Sequence, residues 1–154
     1  MARGMRRWLA GAAIAALAAC GGGPAPPDMK DPVSVARAFV DAYNAKDLSR
    51  MLPLVDQVNM DAIQAALTDG PDSEAWQGIF APQMVEYIGR EGGKVDGPRY
   101  EGREAVVKVA TSDLGDVFTV ELSQREDGDW LIVENAILSE QEFAELPTEP
   151  KKRR

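Results

Sequence analysis

The apolar residues of this chain recur at the spacing of a helix up to about Ile88 and at alternating positions from Lys94 onward, with Gly92-Gly93 between the two regimes. Helices gathered in one half and strands in the other exclude a fold built from strand-helix-strand units, which needs a crossover helix between successive parallel strands. The expected class is therefore α+β, with N-terminal helices packed on an antiparallel sheet. At 154 residues, 45% hydrophobic and 27% charged, the chain suits one domain with a modest core.

Asp31-Pro32 opens the helical half, the aspartate as a cap and the proline where its missing N–H is not needed. The first helix runs to about Ala45 and buries Ala36, Phe39, Val40 and Tyr43. Asp47 caps a second, short helix with Leu48, Met51, Leu52 and Val55 inward, and Val58 or Asn59 begins a third carrying Ile63, Ala66 and Leu67. After the Thr68 to Pro71 loop, Asp72 or Ser73 starts a helix with Trp76, Ile79 and Phe80, which Pro82 breaks ahead of Met84, Val85 and Ile88.

Four strands follow: Lys94 to Tyr100, Glu104 to Thr111, Asp116 to Arg125 and Trp130 to Ile137. Ala105, Val107 and Val109 share one face; Phe118, Val120 and Leu122 face the helices, while Thr119, Glu121 and Ser123 face solvent. Asp127-Gly128 supplies the last hairpin turn, and Phe39, Phe118, Val120 and Trp130 are expected to be buried together. Leu131-Ile132-Val133 reads as a strand covered on both faces, which raises the expectation of a homodimer through the sheet. Ser139 to Leu146 ends the domain with a helical turn, and residues 147–154 form a frayed tail closing in Lys151-Lys152-Arg153-Arg154. Those four cations are a candidate contact with anionic lipid headgroups.

At the other end, Arg3, Arg6 and Arg7 precede an apolar run from Leu9 to Ala19 that is too short to span a bilayer as an ordinary helix. Leu17-Ala18-Ala19-Cys20 follows and resembles a lipobox. That resemblance implies a signal peptide over residues 1–19, cleavage ahead of Cys20, and diacylglycerol on the Cys20 thiol. Two or three acyl chains then hold the protein on the membrane, since each buried CH₂ contributes about 0.8 kcal/mol. Arg6-Arg7 faintly resembles a twin-arginine export signal, but Met5 stands where Ser or Thr is usual, so the general secretory route is favoured. Gly21 rather than aspartate after the cysteine implies passage to the outer membrane, facing the periplasm. Residues 20–30 carry glycine and proline without apolar period and read as a flexible tether of roughly 20–30 Å. Domain boundaries follow: signal 1–19, tether 20–30, α+β domain 31–146, basic tail 147–154.

The pattern Pro32, Ala36, Phe39, Ala42, the run Asn44-Ala45-Lys46-Asp47-Leu48, and the terminal Asp127-Gly128-x-Trp130 resemble the nuclear transport factor 2-like superfamily. Within it, the nearest resemblance is to uncharacterised domains of small bacterial lipoproteins. The resemblance spans about Asp31 to Leu138 and implies a cone-like, cystatin-like arrangement in which a curved sheet and the helices enclose a cavity. Leu131 departs from the pattern, since relatives often carry lysine there. Some members are isomerases or dehydratases that use aspartate, histidine or tyrosine in the cavity, but a shared fold does not carry chemistry across.

The chemical inventory is poor. Histidine is absent and Cys20 is the sole cysteine, which removes disulfide frameworks, imidazole acid/base work and the usual zinc sites. The three early arginines are the only charges ahead of Cys20, so the mature chain has 14 basic against 25 acidic residues, a balance that opposes nucleic-acid binding. Asp41 and Tyr43 are the nearest to an acid/base pair, but two apart on a helix they point to different faces. Glu126 to Asp129 lacks the spacing and distal glutamate of a calcium loop. No catalytic, cofactor or metal residue is assigned; Cys20 is the one site, for lipidation.

The sequence thus favours a non-catalytic envelope module that offers a pocket or sheet to a small ligand or a protein partner. A cavity enzyme of the isomerase or dehydratase kind and a purely structural lipoprotein are the alternatives. Glu121, Glu134 or Asp41 buried in an open cavity beside a tyrosine hydroxyl would favour the enzyme.

Overall fold

The computed structural model describes residues 24–90 and 94–152. The expected signal peptide, Cys20, Gly92-Gly93 and Arg153-Arg154 lie outside them, and no helix among the described residues is long and apolar enough to cross a membrane. Helices α1 (Pro32–Asn44), α2 (Leu48–Met51), α3 (Gln57–Asp69), α4 (Glu74–Ile79) and α5 (Pro82–Arg90) precede strands β1 (Asp96–Glu101), β2 (Glu104–Thr111), β3 (Asp116–Gln124) and β4 (Trp130–Ser139). A 3₁₀ turn (Leu52–Leu54) follows α2, and α6 (Glu140–Glu145) follows β4. The strands form an antiparallel meander in the order β1-β2-β3-β4, as expected.

Side chains fix where the helices begin. Asp31, Asp47, Asp56 and Ser73 each accept a backbone N–H of the first turn of α1, α2, α3 and α4. Each such cap stabilises by roughly 0.5–2 kcal/mol relative to alanine. Asp56 moves the start of α3 ahead of the expected Val58 or Asn59, because its carboxylate takes both the Asn59 N–H (3.1 Å) and the Asn59 amide (2.7 Å). The apolar face of α3 is accordingly Ile63 and Ala66; Leu67 is exposed, contrary to expectation. Helix α1 ends in a left-handed residue, Lys46 (φ 52°), whose N–H donates to the Tyr43 carbonyl while Asp47 N–H donates to that of Ala42.

One core lies between helices and sheet. Val35, Ala36, Val40 and Tyr43 of α1 pack with Ala105, Val107 and Val109 of β2, Phe118, Val120 and Leu122 of β3, and Trp130 and Ile132 of β4. The register of β2 and β3 is thus as expected, and Phe39 packs against this core half-buried. Full burial of a Val, Leu or Ile side chain contributes about 1.5–3 kcal/mol, so this layer carries most of the fold.

The opposite sheet face departs from expectation. Thr119 was expected in solvent but is buried, its hydroxyl donating to the Ala136 carbonyl at 3.2 Å, and Glu121 and Ser123 are half-buried. On the same face α6 folds back so that Phe143 packs with Val106 and Val117, flanked by Leu138 and Leu146. Ser139 and Glu142 form a reciprocal capping box that sets the start of α6. Leu131-Ile132-Val133 also has a local explanation: Ile132 pairs with Leu122 and Glu134 with Glu121, so Val133 is the extra residue of a β-bulge.

Both flanking segments meet the same end of the sheet, where the β1-β2 and β3-β4 turns lie. Trp130 N–H donates to the Met29 carbonyl at 2.8 Å, and Lys30 pairs with Asp129 at 2.6 Å and bonds the Asp127 carbonyl. Gly128 (φ 89°) makes this turn, where a side chain at positive φ would be strained. On the far edge, Tyr100 N–H donates to the Pro147 carbonyl and Lys151 N–H to that of Gly102, so residues 147–151 run beside the β1-β2 turn.

Candidate functional site: a cavity between helices and sheet

Among the hollows of the described residues, two are lined by strands of the sheet. One, about 620 Å³, is an open groove between the turns and the C-terminal segment, with Arg103, Glu104, Glu149 and Lys151 of mixed charge along it. The other, about 450 Å³, lies between α1, α3, α4 and strands β3 and β4, and its walls are continuous with the core. A concave apolar hollow with few polar groups is the usual form of a small-molecule site, so the second is the candidate.

Phe39 and Tyr43 from α1, Ile63 from α3, Ile79 from α4, Val120 from β3 and Ile132 from β4 form the apolar walls. An aromatic chain supports one side: Phe39 to Tyr43 at 5.9 Å, Tyr43 to Phe80 at 5.0 Å and Phe80 to Trp76 at 5.0 Å between ring centroids. The Tyr43 hydroxyl donates to the Ile79 carbonyl at 3.0 Å, tying α1 to α4. Burial pushes its pKa up to about 12, so it stays protonated through the physiological range.

Polar groups sit toward the outside. Glu74 of α4 and Glu134 and Asn135 of β4 line the cavity and are exposed residues, so they mark its rim. Asn59 also lines it, and its amide nitrogen donates to Asp56 Oδ1 (2.7 Å) and to the Val133 carbonyl (2.9 Å). That second bond holds the start of α3 against the bulge of β4, beside the bond from Asp56 N–H to the Ile132 carbonyl.

Asp41 and Tyr43 do not meet: Asp41 is exposed and Tyr43 is in the core. Glu121 lies on the other sheet face, where burial and then the carboxylates of Glu134, Glu101 and Glu104 raise its pKa. Glu134 borders the cavity rim but pairs with Glu121 across the ladder, so its exposed side chain shares that outer face. No carboxylate is therefore buried beside the Tyr43 hydroxyl. The Glu126 to Asp129 run is the expected turn, with Asp127 paired to Arg125 at 3.2 Å and Asp129 to Lys30. Among the described residues no group of three or more acidic side chains is placed to hold a metal ion.

Sequence reasoning did not assign Asn59, Glu74 or Asn135 to a cavity. For Asn59 the signal was Asp56-Gln57-Val58-Asn59, a cap three residues ahead of an amide; Glu74 and Asn135 carry none, since their place at the rim depends on how α4 and β4 pack. No family model matches this chain, and no curated protein or solved structure matches it either.

Proposed function

We propose that this protein is a lipid-anchored lipoprotein of the cell envelope that acts as a non-catalytic binding module, holding a small apolar ligand between its helices and sheet. The observation that carries the reading is the 450 Å³ cavity, walled by core residues and lacking a buried carboxylate. Acid/base catalysis needs a base with a pKa moved toward neutrality beside the reacting atoms. The one hydroxyl on the wall is a tyrosine held neutral and already bonded to a carbonyl. The cone-like arrangement implied by the nuclear transport factor 2-like resemblance belongs to the same proposal, as do Cys20 as the acylated residue and the outer membrane facing the periplasm as the location.

Two measurements test it. Labelled palmitate should enter the wild-type chain in a bacterial host and not the Cys20→Ser variant; label in the variant overturns the anchor. In the full-length Cys20→Ser chain, the neutral dye N-phenyl-1-naphthylamine should brighten on binding, and Ala62→Trp, which places a large ring at the cavity wall, should abolish this with an unchanged circular dichroism spectrum. A dye signal that is missing, or that survives Ala62→Trp, overturns the binding function.

A further inference from the structure

We infer that the cavity selects apolar molecules bearing a hydrogen-bond donor, amines above all, and rejects anionic amphiphiles such as fatty acids. The inference rests on the cavity's being a ligand site, as proposed above, and adds the chemistry of its occupant.

The polar groups around the cavity are nearly all acceptors. Asn59 has both of its amide nitrogen's neighbours fixed as acceptors, Asp56 Oδ1 and the Val133 carbonyl, so the nitrogen must face them and Oδ1 is left to accept. Tyr43 gives its one proton to the Ile79 carbonyl, and a ligand group reaching its oxygen meets lone pairs. Glu74 borders the cavity from α4, and a carboxylate only accepts. Asn135 alone adds a donor, and no lysine or arginine lines the cavity among the described residues. An ammonium or hydroxyl group thus finds partners wherever it rests, whereas a carboxylate head leaves acceptors facing acceptors, with the like charge of Glu74 at the mouth.

The test uses the full-length Cys20→Ser chain and three compounds with one C12 tail, dodecylamine, dodecanol and dodecanoate, each displacing N-phenyl-1-naphthylamine. The amine should bind tightest and dodecanoate weakest, by about tenfold or more, since each exposed charge pair contributes up to about 1 kcal/mol. Glu74→Gln should reduce the amine-to-carboxylate ratio by about fivefold on the same grounds, with dodecanol unchanged. Glu126→Gln, in the β3-β4 turn and away from the cavity, should leave the ratio alone, which separates the effect of Glu74 from the chain's overall negative charge. Dodecanoate binding as well as dodecylamine, or a ratio unmoved by Glu74→Gln, overturns the inference while the dye result upholds the cavity as a site. Absence of dye binding, or dye binding that Ala62→Trp does not remove, overturns both.

Discussion

The side-chain amide of Asn59 donates to the carbonyl of Val133 at 2.9 Å, and Val133 is the one residue of β4 that the β-bulge leaves without a partner on β3. The bond fastens the first turn of α3 to the sheet at the cavity wall. Asn59→Ala should destabilise the protein by about 1–2 kcal/mol in urea unfolding, as two acceptors lose their donor. Asn59→Asp should cost more than alanine, because it sets a carboxylate against Asp56 and a carbonyl. Equal stability of the two variants would mean that the amide carries no such role.

Tyr43 gives a pH dependence with a fixed sign. Its folded pKa is raised to about 12 from an ordinary value of 10, so only the unfolded chain ionises between them. The contribution is therefore intact below pH 10 and is lost as pH rises from 10 toward 12. Tyr43→Phe should lower stability at pH 7 by about 1 kcal/mol through the lost bond to Ile79, and should flatten the alkaline decline. An alkaline decline of the same depth in both proteins would assign it to other groups.

Lys46 holds the left-handed position that closes α1, where a side chain costs roughly 1 kcal/mol that glycine avoids. Lys46→Gly should raise the melting temperature by a few degrees, and Lys46→Val, with its branched β-carbon, should lower it. The reverse order in a thermal scan would contradict the assigned turn.

Phe143 is the lid over the outer sheet face. Phe143→Ala should cost about 3 kcal/mol or more and uncover Val106 and Val117, which amide exchange would register as faster exchange in β2 and β3. Protection unchanged across both strands would mean that α6 adds nothing to that face.

How far the sequence could be read depended on how local each signal was. The caps at Asp31, Asp47 and Ser73, the bounds of β2, and the inward set Phe118, Val120 and Leu122 all come from neighbours in the chain, and all were legible. Thr119 was misplaced because its face of the sheet is not left bare: Phe143, 24 residues later, packs with Val106 and Val117 there only once α6 turns back. The bulge at Val133 was not legible either, because an alternation count has no place for an extra residue. The cavity was the least legible feature, since a hollow is what packing leaves unfilled, and no residue records it alone.

The bonds from Trp130 to Met29 and from Lys30 to Asp129 have a mechanical meaning. Tension along the chain ahead of Asp28 is shared between the β3-β4 hairpin, through Met29 and Lys30, and α1, through the Asp28 N–H that donates to the Ser34 hydroxyl at 3.0 Å. A pull on that segment therefore meets the sheet and the first helix together, through two fastenings that share one load.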